Sequence, residues 1–136
     1  MDNFNPFLSL KNRNIVIVED DVSNFRYFET VLKKTQASIH WIKNGRDAIN
    51  YCTNSSNNID LVIMDMIMPK ISGYDMINEF QKINSLARIV ISSGYSEERD
   101  IQKLFENHEH ILGFYKKPFD LVKFANDIAS MLEQEA

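Results

Sequence analysis

Short apolar runs alternate with amphipathic segments along the whole chain. Four of the runs are apolar throughout and rich in β-branched or aromatic residues, and they cover residues 15–18, 61–64, 89–91 and 111–115. A run of this length is typical of a strand that is covered on both faces in a parallel sheet. Residues 39–41 instead alternate apolar, polar and apolar, as a strand at the edge of a sheet does. The pattern therefore predicts five strands.

Each predicted strand is followed by a segment in which apolar residues recur every three or four positions, which is the spacing of one helix face. The first of these helices starts near Ser23, and the second follows Asn44 and Asp47, which stand at the spacing of a capping box. The core-facing positions of the five helices are Phe25, Phe28 and Leu32; Ala48, Ile49 and Cys52; Met76, Phe80 and Ile83; Ile101, Leu104 and Phe105; and Leu121, Phe124, Ile128 and Leu132.

Alternation of strands and helices predicts an α/β fold, a (βα)5 chain with a doubly wound five-stranded parallel sheet. Right-handed crossovers with helices on both faces favour the strand order 2-1-3-4-5. We expect one domain over residues 13–136, preceded by an N-terminal extension over residues 1–12. The apolar residues of the extension have no clear period, so it is either an arm that packs on the domain or a frayed end, and we favour fraying.

Composition narrows the classes of protein to consider. The chain has 136 residues, 44% of them hydrophobic and 25% charged, which is ordinary for a globular domain. A net charge of −4 without a long basic run argues against direct nucleic-acid binding. No run approaches the roughly 20 apolar residues that cross a bilayer, and the first residues lack the basic region and apolar region of a signal peptide, so we expect a cytoplasmic protein without membrane contact. Cys52, the single cysteine, excludes an internal disulfide and is predicted to be buried and unreactive.

Acidic residues follow two of the predicted central strands. Glu19, Asp20 and Asp21 come directly after the first strand, and Asp65 ends the third. The carboxyl ends of parallel strands meet at one edge of the sheet, where ligands of such folds bind. Two carboxylates ~5 Å apart repel by about 3 kcal/mol at an effective dielectric near 20, and a divalent cation would remove that cost. The oxygen ligands suit Mg²⁺ that keeps several of its waters.

Two further polar side chains are predicted at the same edge. Ser92 ends the fourth strand and Lys117 follows the fifth. A lysine supplies a mobile positive charge for phosphate oxygens, and a serine hydroxyl adds a hydrogen bond. The set indicates phosphoryl transfer onto the carboxylate of Asp65 itself.

The motifs at these strand ends agree jointly with one known family. They are Val18-Glu19-Asp20, the segment 64–69 with Gly73, Ser92-Ser93-Gly94, and Lys117-Pro118-Phe119. Over residues 13–133 the sequence resembles the receiver domain of bacterial two-component response regulators, a flavodoxin-like, CheY-like fold.

The resemblance assigns roles to individual residues of this chain. It implies that Asp65 is the phosphoacceptor, that Glu19 and Asp20 bind Mg²⁺ directly or through water, and that the Ile67 carbonyl completes the protein ligands. Mn²⁺ or Ca²⁺ could replace Mg²⁺. The remaining implied roles are the switch hydroxyl at Ser92, the aromatic switch position at Phe114, the phosphate-binding lysine at Lys117 after a bystander Lys116, and a cis peptide before Pro118.

The resemblance also implies the partners and the mode of signalling. The phosphodonor would be a histidine kinase or a histidine phosphotransfer protein, and the chain would be no enzyme beyond Mg²⁺-dependent self-phosphorylation and slow self-dephosphorylation. Ser92 would move toward the phosphoryl group and vacate space that Phe114 fills. The face formed by the fourth helix, the fifth strand and the fifth helix would then bind a downstream effector protein, and phosphorylation-dependent homodimerisation through it is left open.

Some positions depart from the family pattern. Glu19 stands where many members have Asp, and Phe114 stands where Tyr is more familiar. Ile67 and Gly94 occupy positions where polar groups often orient a hydrolytic water, so we predict slow loss of the phosphoryl group.

Other classes of protein fit less well. A flavodoxin-like redox protein needs a Ser/Thr/Gly-rich loop after the first strand, and a haloacid-dehalogenase-type phosphatase needs a second Asp where Ile67 stands. The alternative that stays open is a receiver-like interaction module that is not phosphorylated. The initial Met1 and the end near Ala136 mildly favour a stand-alone regulator, while the cognate kinase and the output are not identified by the sequence.

Overall fold

The structure is a computed structural model, and it describes residues 10–54, 59–65, 75, 77–79, 82, 88–93, 103, 106, 111–116 and 120–133. Five strands form one parallel sheet in the order β2-β1-β3-β4-β5. This is the predicted 2-1-3-4-5 order, and the predicted (βα)5 fold class is confirmed. The strands are β1 (Asn14–Val18), β2 (Ser38–Ile42), β3 (Leu61–Met64), β4 (Ile89–Ser93) and β5 (Ile111–Lys116).

Helices connect the strands. Helix α1 spans Val22–Leu32 and is followed by a 3-10 turn at Lys33–Thr35, α2 spans Gly45–Asn54, and the C-terminal helix spans Leu121–Glu133. Residues 75, 77–79 and 82 are helical, as are residues 103 and 106. In the part of the chain that the structure describes, no helix combines the length and the apolar character needed to span a membrane.

Side-chain caps fix the starts of the first two helices. The carboxylate of Asp21 accepts hydrogen bonds from the amides of Ser23 at 2.8 Å and Asn24 at 3.4 Å, so α1 begins one residue before the predicted start. The predicted N-cap of α2 is confirmed at Asn44, and the bond returned to Asp47 comes from the Asn44 side chain, where a capping box uses the backbone amide. The Asn44 side-chain oxygen accepts from the Asp47 amide at 2.9 Å, and the Asn44 side-chain nitrogen donates to the Asp47 carboxylate at 2.9 Å.

The sheet divides the core into two layers. On one side, which we call the α2 face, Val16, Val18, Met64 and Ile91 pack with α2. On the other side, the α1 face, the alternate strand residues pack with α1 and the C-terminal helix. Because β1 and β3 have residues in both layers, their apolar runs are buried on both faces, as predicted. The α1 face includes Ile15, Ile17, Leu61, Ile63, Val90, Phe25, Phe28, Leu32, Phe124, Ile128 and Leu132.

Strand β2 lies at one edge of the sheet and shows the predicted alternation of exposure. Ser38 and His40 are exposed, whereas Ile42 is buried. His40 stacks on Tyr51 of α2 with ring centroids 4.2 Å apart. The imidazole therefore belongs to an exposed aromatic stack between β2 and α2.

The amino edge of the sheet is tied to both flanking segments. Leu10 is fully buried in the layer on the α1 face, and its carbonyl accepts from the Arg13 amide at 3.1 Å. The Arg13 guanidinium donates to the Leu132 carbonyl at 3.1 Å and pairs with Asp60 at 3.4 Å. Leu10 therefore packs on the domain, and the prediction that the N-terminal extension is frayed is wrong at this residue. Residues 1–9 lie outside the described residues, and the domain boundary at residue 13 stays a prediction.

Cys52 is buried in α2 with 5% of its surface exposed, as predicted. Burial raises the pKa of its thiol to about 11. The thiolate, which is the reactive form of cysteine, is therefore strongly disfavoured while the protein is folded.

Candidate functional site

Three carboxylates meet at the carboxyl edge of β1 and β3. Val18 pairs with Met64 in the sheet register, so the residues that follow the two strands are neighbours. One carboxylate oxygen from each of Glu19, Asp20 and Asp65 lies within 4.8 Å of the other two. The prediction that these acids meet at one sheet edge is confirmed.

Burial differs among the three acids. Glu19 is 2% exposed and Asp65 is 9% exposed, whereas Asp20 is exposed. The cluster is therefore backed by protein and open to solvent on the side of Asp20. Concentrated carboxylate oxygens with one open side fit a hard divalent cation such as Mg²⁺, which keeps part of its water shell. The donor set of this chain thus fits the predicted metal.

Glu19 is held by contacts on its backbone and on its side chain. Its amide donates to the Ile42 carbonyl at 3.0 Å, and its own carbonyl accepts from the Trp41 indole nitrogen at 2.8 Å. One carboxylate oxygen accepts from the Asp21 amide at 3.3 Å and from the Asn24 side chain at 3.5 Å. Sequence reasoning missed Asn24 and Trp41, because no local motif marks either residue.

Asp21, the third acid after β1, is the N-cap of a helix. Asp21 caps α1, and it does not belong to the carboxylate cluster found among the described residues. A carboxylate at a helix N-terminus satisfies backbone amides and is favoured by the helix dipole. The three consecutive acids therefore divide into two cluster residues and one helix cap.

Ser92 lies in the strand next to β3, where Ile91 pairs with Met64. It is 1% exposed, and its hydroxyl has no hydrogen-bond partner among the residues that the structure describes. An unpartnered buried hydroxyl is unfavourable, and the arrangement leaves this group available for a new bond.

The register separates Ser92 from Phe114. Ile91 pairs with Phe114, and both pack on the α2 face. Ser92 is the next residue of β4 and pairs with Tyr115, which packs on the α1 face. Neighbouring side chains of a strand point to opposite faces. The predicted direct exchange of space between Ser92 and Phe114 is therefore corrected, because the two side chains lie on opposite sides of the sheet.

Several other predicted site residues are not among the residues that the structure describes. Lys117, the Ile67 carbonyl and the peptide before Pro118 lie outside the described residues, as do Gly73 and Gly94. Lys116 is exposed at the end of β5, where its backbone pairs with Ser93.

Comparison with known proteins agrees with this arrangement. The family model for the response regulator receiver domain matches residues 15–129. Sensor kinase CckA of Brucella abortus is 25% identical over 121 residues, which cover 89% of this chain and 13% of that protein. Two-component response regulator ARR22 of Arabidopsis thaliana is 26% identical over 92 residues, covering 68% of this chain and 65% of that protein.

Solved structures show the same fold. The receiver domain of a LuxO repressor protein from Vibrio parahaemolyticus has a TM-score of 0.82 and 21% identity, covering 90% of this chain and 92% of that one. Response regulator TrrA from Thermotoga maritima, solved in complex with Mg²⁺ and BeF, has a TM-score of 0.74 and 25% identity, covering 88% and 98%.

Several relatives are much longer than the matched region. The chain spans 13% of sensor kinase CckA and 52% of the transcriptional regulatory protein YbdJ of Bacillus subtilis, which is 27% identical over 125 residues, or 91% of this chain. The family match covers most of the present chain, and it includes every acid of the cluster. On the fold, the strand-end acids and this match, the chain belongs to the response regulator receiver domain family.

Proposed function

We propose that this chain accepts a phosphoryl group on Asp65 in a Mg²⁺-dependent reaction of two-component signalling. The observation that carries the proposal is the cluster of Glu19, Asp20 and Asp65, in which one carboxylate oxygen from each residue lies within 4.8 Å of the other two. Asp65 ends a buried strand and is itself 9% exposed, whereas the neighbouring Asp20 is exposed, so a phosphodonor would reach the Asp65 carboxylate from the side of Asp20. Glu19 and Asp20 would hold the cation beside it.

The chemistry is nucleophilic attack by a carboxylate. One Asp65 oxygen forms a bond to phosphorus while the bond from phosphorus to the donor nitrogen or oxygen breaks, and the leaving group takes up a proton. A bound Mg²⁺ would supply positive charge to the oxygens of the transferring group. We propose the Ile67 carbonyl as a further metal ligand and Lys117 as the cation that contacts the phosphoryl oxygens.

We propose a histidine kinase or a histidine phosphotransfer protein as the donor and a separate protein as the receiver of the signal, with the cytoplasm as the compartment. The family match and the similarity to a sensor kinase and to a two-component response regulator support this. Phe114 on β5 is partly buried on the α2 face, and we propose that phosphorylation changes its position and thereby the surface around β5.

A hydroxyl of β4 would link phosphorylation of Asp65 to the position of Phe114, and the strand register argues against Ser92 in this role. Ser92 borders β3 but lies on the face opposite Phe114. The next hydroxyl along β4 is Ser93, whose backbone pairs with Lys116. We therefore propose that Ser93 is the hydroxyl that acts on Phe114, and that Ser92 contributes only on the α1 face.

Intact-mass spectrometry after incubation with acetyl phosphate and Mg²⁺ tests the proposal. We expect the native chain to gain one phosphoryl group, Asp65→Asn to gain none, and a metal chelator to abolish the gain. Asp60→Asn is the matched control, because Asp60 lies at the opposite edge of the sheet beside Arg13. Equal labelling of the native chain and Asp65→Asn would refute the assignment. No labelling of a native chain that binds Mg²⁺ and meets a phosphorylated kinase would favour the phosphorylation-independent interaction module.

A further inference from the structure

Trp41 is the only tryptophan of the chain, and its indole nitrogen donates a hydrogen bond to the Glu19 carbonyl at 2.8 Å. We propose that Trp41 is a positioning residue for the cation site, and that its fluorescence reports cation binding. The inference rests on the proposed metal site at Glu19, Asp20 and Asp65. It adds a residue of β2, which lies outside the motifs that predicted the site.

The indole is itself held in a defined orientation. Its ring stacks on Phe25 of α1 with centroids 4.3 Å apart and an angle of 4° between the planes. The Lys43 ammonium lies over the same ring, 5.1 Å from its centroid. A stacked and partly buried ring loses little further freedom when its nitrogen donates a hydrogen bond. The donor is therefore pre-oriented toward the Glu19 carbonyl.

Both backbone bonds of Glu19 lead to the same edge strand. Its amide donates to Ile42 and its carbonyl accepts from Trp41. The end of β2 thus fixes the backbone from which the buried carboxylate extends. Glu has one more rotatable bond than Asp, so the position of its carboxylate depends more on the anchoring of its backbone and on side-chain contacts. The bond from Trp41 supplies part of that anchoring at the position where this chain departs from Asp.

The same contact makes the indole a sensor of the site. A divalent cation bound by Glu19 brings charge close to the residue that the indole contacts, and the interaction of charges at short range is strong beside a buried group. Cation binding would also order the Glu19 side chain. The indole nitrogen donates to the backbone carbonyl of this same residue. We expect a saturable change in tryptophan emission whose midpoint equals the calorimetric Kd for Mg²⁺.

The test compares Trp41→Phe with Phe25→Leu by Mg²⁺ titration calorimetry and by urea unfolding. Trp41→Phe keeps an aromatic ring in the stack but removes the nitrogen donor, whereas Phe25→Leu disturbs the stack and keeps the donor. For Trp41→Phe we expect Mg²⁺ affinity to fall about fivefold, because without this hydrogen bond the Glu19 backbone is less ordered before the cation binds. For Phe25→Leu we expect a lower unfolding midpoint with Mg²⁺ affinity within about twofold of the native chain.

The outcomes separate the inference from the proposed function. If the native chain binds Mg²⁺ and Trp41→Phe binds it equally well, the positioning role is refuted and the metal site stands. An equal loss of affinity in both variants would assign the effect to packing and would also refute it. Absence of Mg²⁺ binding by the native chain would refute the metal site itself. In the native chain, emission that does not change while calorimetry shows binding would refute the reporter role, and Asp65→Asn should abolish both signals.

Discussion

The backbone amide of Asp65 donates a hydrogen bond to the carbonyl of Val18 over 3.3 Å. This bond continues the pairing of β3 with β1 past the last strand residue. It fixes the start of the loop after β3 next to the acids that follow Val18, so the carboxylates are brought together by the sheet itself. The folded chain therefore holds negative charges close to one another before any cation binds.

Removal of one of these charges should stabilise the metal-free protein. We expect Asp65→Asn to raise the free energy of unfolding by about 1 kcal/mol in chelator, because repulsion of about 3 kcal/mol per close pair is reduced by solvent. This corresponds to a rise of about 3–5 °C in Tm. Mg²⁺ should stabilise the native chain and leave Asp65→Asn unchanged, since a ligand that binds the folded state alone shifts the equilibrium toward it and the variant should not bind the ion. Thermal unfolding with and without Mg²⁺ measures both effects.

Asp60→Asn is the control with the opposite expected sign. Asp60 accepts a hydrogen bond from the Asn14 amide at 2.7 Å and pairs with Arg13 at 3.4 Å, so its charge is favourable in the folded state. Its replacement should lower Tm and leave the effect of Mg²⁺ intact. If Asp65→Asn were also less stable in chelator, the cluster would not be a site of repulsion.

Ser92→Ala should stabilise the protein and leave the response of Phe114 intact. The variant removes a buried hydroxyl for which the described part of the chain offers no hydrogen-bond partner, and we expect a gain of about 1 kcal/mol in the free energy of unfolding. Because Ser92 and Phe114 lie on opposite faces, the change in Phe114 upon addition of Mg²⁺ and beryllofluoride should persist. Fluorine NMR of a fluorophenylalanine-labelled chain measures that change. Ser93→Ala is the matched variant, and we expect it to abolish the change in Phe114. If Ser92→Ala abolished that change and Ser93→Ala did not, the switch role predicted for Ser92 would be supported.

Tyr115→Phe should destabilise the packing of the C-terminal helix on β5. The Tyr115 hydroxyl donates to the Asp127 carboxylate at 2.8 Å, and Lys123 also donates to that carboxylate at 3.2 Å. Burial and the Asp127 carboxylate raise the pKa of Tyr115 well above its usual range, so the phenol remains a donor at neutral pH. Loss of a hydrogen bond to a charged acceptor should cost about 1–2 kcal/mol in urea unfolding.

Tyr27→Phe controls for the loss of a phenol as such, because Tyr27 is 61% exposed on α1. Its unfolding free energy should stay within about 0.5 kcal/mol of the native value. Equal effects of the two variants would exclude a specific contribution from the bond between Tyr115 and Asp127. Neither variant should alter Mg²⁺ affinity.

Cys52 should make folding less favourable in alkali. Burial raises the pKa of its thiol from 9.0 to about 11, so the unfolded chain ionises first as the pH rises. The contribution of Cys52 is fully present below about pH 9 and is lost as the pH approaches about 11. Cys52→Ala should therefore lose less stability than the native chain between these pH values, as measured by urea unfolding. Alkylation by iodoacetamide near neutral pH should proceed only as fast as the protein opens, and rapid labelling of the folded chain would contradict the burial.

The apolar runs and strand-end acids were sufficient to predict the sheet order and the meeting of Glu19, Asp20 and Asp65. These features depend on local period and on the general rule that parallel strands end at a common edge. The bond from Trp41 to Glu19 could not be predicted, because it joins residues 22 positions apart through the packing of an edge strand. The face of Ser92 was missed for another reason. It depends on a pairing of β4 with β5 that contains a register shift between Ile89 and Val90, which a single sequence does not reveal.

The contacts of Arg13 have a practical consequence for building sensors from this domain. Arg13 links the segment at Leu10 to the Leu132 carbonyl of the C-terminal helix, at the edge of the sheet opposite the acids. Fluorescent proteins fused before Leu10 and after the C-terminal helix would both start from this far edge. They would begin close to each other, as energy transfer requires, and would leave the opposite edge of the sheet, with its carboxylates, unobstructed in a living cell.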